Sequence, residues 1–152
     1  MILNRQCSVR VPAKDLEKFC TRARRALRLP SESISVCLVS NSEMARWNSA
    51  YRGKAGPTDV LSFPADHSNG TRKKNKVPFA RGGSDSPQYL GDIAIAPDVA
   101  RRNALRFGRT FSEEMRILIL HGMLHLMGYD HETDEGQMDR RERRLRRELG
   151  LA

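Results

Sequence analysis

The sequence predicts an α+β fold, a small mixed β-sheet packed with helices. Two observations carry this: short strand-like runs and amphipathic helices come in mixed order, and the helices are concentrated late in the chain. A third bounds its size. With 152 residues, 39% hydrophobic and 30% charged, the chain suits a single domain over 1–152 with an ordinary core.

Taken in order, Cys7 to Val11 reads as a short strand. Lys14 to Leu29 places Leu16, Phe19, Cys20, Ala23 and Leu27 at helical spacing, with basic residues opposite, and Pro30-Ser31 breaks that helix. Ile34, Val36 and Leu38 alternate with Ser35 and Cys37 as a strand. Asn41 or Ser42 caps a short helix through Met44, Ala45 and Trp47, ending near Gly53. Val60 to Phe63 is a brief strand closed by Pro64. Residues 66–88 are rich in Lys, Arg, Gly and Pro and read as a long, flexible basic loop inside the domain. Tyr89 to Ala96 forms another strand, and Pro97, suited to a first helical position, opens a helix to Phe107. Thr110 and Glu113 form a capping box for a helix from Phe111 to Met127. That helix is apolar nearly all round, which places it in the core, and Gly128 ends it. A last helix, Asp134 to Leu149, carries a thin stripe of Met138, Leu145 and Leu149 under heavy charge.

The 27 basic against 18 acidic residues give a net charge of +9, which favours polyanionic partners. No apolar run approaches the ~20 residues of a membrane-spanning helix. The N-terminus has no secretory pattern. Three cysteines, Cys7, Cys20 and Cys37, form no CxxC pair. Their number and spacing fit a reducing, cytoplasmic compartment and exclude a disulfide framework or a cysteine zinc site.

Three of the four histidines fall within 11 residues: His121, His125 and His131. The first two are i and i+4 on one helix face, and the turn after Gly128 returns the third toward them. Three imidazoles suit Zn2+, one ion per chain, and leave an open position of the kind catalytic zinc keeps. The alternatives are buried, hydrogen-bonded core histidines, or a structural zinc completed by His67 or Asp130. Gly122 stands where HExxH metalloproteases carry their general base, so the peptidase reading loses its proton acceptor.

The run from His121 to His131, HGMLHLMGYDH, resembles the HGxLHLxGYDH signature of the YbeY family of metal-dependent endoribonucleases. Tyr51-Arg52-Gly53 with the PTDVLSFP stretch from Pro57 to Pro64, and Leu90 to Ile93, resemble two further family segments. The resemblance spans about residues 34–150, and the basic loop at 66–88 is longer than the family pattern implies. It implies a zincin-like α+β domain acting as a single-strand-specific endoribonuclease. The substrate would be small-subunit (16S) rRNA, in its maturation and in ribosome quality control. The partners would be RNA, the small ribosomal subunit and assembly factors, with no membrane and no DNA. It nominates Arg52 as catalytic; on its own, an arginine near a helix end reads as a solvated charge on the helix dipole. Two routes to phosphodiester cleavage stay open, attack by zinc-activated water or by the RNA 2′-OH.

Asp59 and Asp92 sit in the matching segments, as carboxylates that orient a histidine or as turn residues. Asp130 orients a ligand or stabilises its turn. Between residues 140 and 147, six arginines stand against Glu142 alone, either a solvated helix face or an anchor for an RNA backbone; the first helix adds more basic residues. With 6% aromatics, extensive base stacking is not expected. The rival functions are another metal hydrolase, such as a peptidase, and a ribosome-binding assembly factor with structural zinc.

Overall fold

A computed structural model describes residues 2–65, 89–130 and 132–151. The predicted basic loop at 66–88, and His67 and His131 with it, lie outside the described residues. The elements run β1 (Ile2–Asn4), α1 (Ala13–Ala26), β2 (Ile34–Leu38), α2 (Asn41–Arg52), β3 (Val60–Pro64), β4 (Gly91–Ile95), α3 (Pro97–Phe107), α4 (Phe111–Leu126) and α5 (Gln137–Glu148). The fold class is the predicted one, α+β. Among the described residues the sheet has four strands in the order β1-β2-β4-β3, with β1, β2 and β4 parallel and β3 antiparallel to β4.

The two central strands are covered on both faces, so their apolar residues point both ways, with Ser35 and Asp92 as the polar exceptions. On one face Ile34, Val36, Leu38, Ile93 and Ile95 join the main core with α1, α4 and α5. On the other, Cys37, Leu61, Phe63 and Ala94 join Met44 of α2. The Ile, Val, Leu, Phe and Met side chains among these each contribute roughly 1.5–3 kcal/mol of transfer free energy when fully buried. Burial also pushes the Cys20 and Cys37 thiols up to about 12, which keeps both protonated.

Local chemistry fixes the ends. Ser40, one residue before the expected caps, accepts the Glu43 amide at 3.2 Å and opens α2. Thr110 accepts the Glu113 amide at 3.1 Å and opens α4. Gly128 (φ +99°) then ends the turn after α4, a backbone conformation that favours glycine.

The predicted strand at Cys7–Val11 is a correction. β1 lies earlier, at Ile2–Asn4, where Ile2, Leu3 and Asn4 register with Val36, Cys37 and Leu38. The Gln6 side chain accepts the Val9 amide and donates to the Val9 carbonyl, both at 2.9 Å. Those groups are therefore satisfied locally, and the segment has no call for a ladder.

Candidate metal centre

Helix α4 runs beneath the sheet with its last two turns against β3 and β4. The reason it approaches so closely is Gly122. A Cβ there would lie 2.8 Å from the Ile93 side chain, and the Gly122 carbonyl accepts the Ser62 hydroxyl at 3.3 Å. This packing leaves His121 and His125 half-buried on a cleft of about 550 Å3, whose walls include Arg52, Asp59, Ser62 and Asp130.

The two imidazoles are held in a defined way. His121 Nδ1 lies 2.9 Å from Glu142 Oε1, and His125 Nδ1 lies 3.0 Å from the Tyr129 carbonyl. A carbonyl accepts only, and so does an ionised carboxylate, so each Nδ1 carries the proton. Burial raises the Glu142 pKa, but the hydrogen bond from His121 and the charge of Arg146 outweigh it, and the carboxyl sits below its ordinary value. Arg146 meets the other carboxylate oxygen at 2.9 Å. In neutral imidazoles this leaves both Nε2 atoms with lone pairs, and these face each other 3.1 Å apart. Two lone pairs at that distance repel unless a cation or a proton is shared between them. Nδ1 on a fixed acceptor and Nε2 turned to a common point is the arrangement of zinc-binding histidines.

The donor set therefore fits zinc as far as it is described. Among the described residues no three potential ligands converge. Of the three histidines expected to hold the ion, His121 and His125 are described, and His131 lies outside those residues.

Arg52 ends α2, anchored because Tyr51 and Trp47 pack edge-on against Phe63 of β3 at 4.7 and 6.1 Å between centroids. This brings Arg52 to the same cleft as both histidines, with Glu132 at 3.8 Å and its side chain 36% exposed.

The other carboxylates do structural work. Asp59 accepts the Val60 amide (2.8 Å) and the Asn103 side chain (3.1 Å). Asp92 is buried on the sheet and bonded to the Tyr89 hydroxyl; burial raises its pKa against the lowering effect of that bond. Asp130 accepts the Glu132 amide at 3.0 Å and stabilises the turn. The residue that sequence reasoning passed over is Glu142. Its signal was available: Met138, Glu142, Leu145 and Leu149 fall at helical spacing, so the glutamate sits inside an apolar stripe.

The model of the family described as Endoribonuclease YbeY matches residues 1–150. A relative from Sulfurovum sp. named Endoribonuclease YbeY is 37% identical over 150 residues, covering 98% of this chain and 90% of its own. One from Koribacter versatilis with the same name is 38% identical over 151 residues, covering 99% and 86%. The solution structure of a Thermotoga maritima protein is similar at a TM-score of 0.59 and 26% identity, covering 98% of this chain and 89% of that one. With the histidine pair on α4, its backing groups and Arg52 around one cleft, and a family match over nearly the whole chain, this protein belongs to the Endoribonuclease YbeY family.

Proposed function

We propose that this protein is a zinc-dependent, single-strand-specific endoribonuclease of small-subunit (16S) rRNA maturation and ribosome quality control. One Zn2+ per chain is held by His121, His125 and His131. The observation that carries this reading is the pair of Nε2 atoms 3.1 Å apart, each backed through Nδ1 by a fixed acceptor. The relatives' name supports the substrate class. Its working partners are RNA, the small subunit and assembly factors in the cytoplasm. No helix among the described residues is long and apolar enough to cross a membrane.

Zinc bound there supplies Lewis-acid stabilisation of phosphoryl charge and acidifies water. The protein's own groups do the rest. Glu142 and the Tyr129 carbonyl hold the two rings so that neither turns away from the common point. Arg52 presents a planar guanidinium to the cleft, and its exposed contact with Glu132 at 3.8 Å is too weak to compete with a phosphate. Charge that develops on phosphoryl oxygens is met by a donor already in place.

The test is cleavage of single-stranded RNA by purified protein before and after chelation, followed by zinc add-back. Activity is expected to vanish and return; full cleavage by metal-free protein overturns the reading. A 2′,3′-cyclic phosphate among the products marks attack by the neighbouring 2′-OH. Arg52→Ala should keep the parent's zinc content and lose roughly 10²-fold or more in kcat, with Lys restoring only part. A single-turnover rate equal to the parent's removes Arg52 from the mechanism.

A further inference from the structure

The C-terminal end of α3 exposes two large apolar side chains, Leu105 (80%) and Phe107 (55%). Tyr51, also exposed, is explained by its contact with Phe63. The Phe107 ring instead has two guanidiniums near it, Arg109 at 5.2 Å and Arg106 at 5.8 Å from its centroid. Arg109 is fixed there by its ion pair with buried Glu114 at 2.9 Å. Arg101 and Arg102 stand on the same exposed helix, both paired to Asp98. Among the described residues Arg106 has no carboxylate partner.

One hydrogen bond ties this end of α3 to the wall of the cleft. Asn103 donates to Asp59, a residue of the cleft wall. Asn103, Arg106 and Phe107 are i, i+3 and i+4, so they share a face, and Phe107 lies one turn, about 6 Å, further along the helix. An exposed ring held by cations matches an occupant with both a π-face and negative charge. A protein partner would want a wider apolar patch than two side chains among arginines. Unpaired nucleotides offer the combination.

We propose that Phe107, with Arg106 and Arg109, is a stacking platform for one base of single-stranded RNA running out of the cleft past Asp59. The proposal rests on the RNA reading above. It makes α3 a determinant of single-strand preference, because a base locked in a duplex cannot reach the ring.

The experiment is fluorescence anisotropy of a labelled single-stranded oligoribonucleotide with full-length protein. Phe107→Ala is expected to weaken binding about tenfold, and Phe107→Trp to retain it. Phe107→Leu keeps apolar bulk without a π-face and should behave like Ala. The gap between parent and Phe107→Ala should close on an oligomer of abasic residues. Parental affinity in Phe107→Ala or Phe107→Leu, with the parent binding and cleaving RNA, overturns the platform alone and leaves a protein partner as occupant. A parent that neither binds nor cleaves RNA overturns the RNA reading, and the platform with it.

Discussion

Helices α4 and α5 meet at the His121–Glu142 hydrogen bond and arrive there by opposite routes. α4 is buried on nearly every side, through Met115, Ile119, Leu120, Met123 and Leu124 among others, and its histidines are polar exceptions on an apolar rod. α5 is mostly charge, and Met138, Glu142 and Leu145 are its buried residues. In the first helix burial is the rule and the site is what escapes it. In the second solvation is the rule and the site contact is what is buried. The chemistry of a position therefore follows from how it departs from its own helix, more than from its residue type.

The comparison breaks first at the ligands. His121→Ala or His125→Ala should abolish zinc binding and RNA cleavage together, and His131→Ala should match them, read as metal content per chain and rate. Full occupancy in any one variant removes that histidine from the centre. The contribution of α5 comes next. Glu142→Ala should weaken zinc binding roughly 10- to 100-fold while the sheet and α4 persist. Glu142→Gln, which keeps an oxygen for His121 Nδ1, should recover part of it. Competition with a chromophoric chelator measures both, and parental affinity in Glu142→Ala reduces the residue to packing.

A smaller effect belongs to the apolar side of α4. Gly122→Ala places a methyl group 2.8 Å from Ile93 and should destabilise the fold by about 1–3 kcal/mol in urea. Shortening Ile93 to Val should relieve part of it. The exposed face of α5 is the finest test. If it tracks phosphates, charge reversal of Arg143, Arg144 and Arg147 should flatten the salt dependence of RNA binding. Each lost contact removes about 0.7 from the log–log slope. Zinc affinity should not change; an unchanged slope makes this a solvated face.

How much was readable follows the same division. α3 was read with the bounds it has, Pro97 to Phe107, from Pro97 as its opening signal; Gly108 (φ +67°) closes it. The capping box at Thr110 and the apolar rod behind it placed α4, and with it His121 and His125 on one face. Periodicity did not locate β1, because three residues carry little pattern and Gln6 satisfies the backbone at Val9 without a strand. Nor did it separate Glu142 from its neighbours, since a charge count over residues 140–147 averages a buried carboxylate into a solvated run. Arg52 was named from resemblance, and only the packing of Tyr51 and Trp47 on Phe63 explains why it faces the histidines.

The contact between Gly122 and Ile93 also bounds what chemistry this scaffold can acquire. The direction in which a side chain at 122 would leave the helix is filled by a strand of the sheet. Placing the glutamate of a metallopeptidase there would drive a carboxylate into an apolar layer and not toward the cleft. The step from nuclease to peptidase is thus closed to a single substitution: it needs the helix lifted or turned against β4, a change that would disturb the histidines on the same two turns.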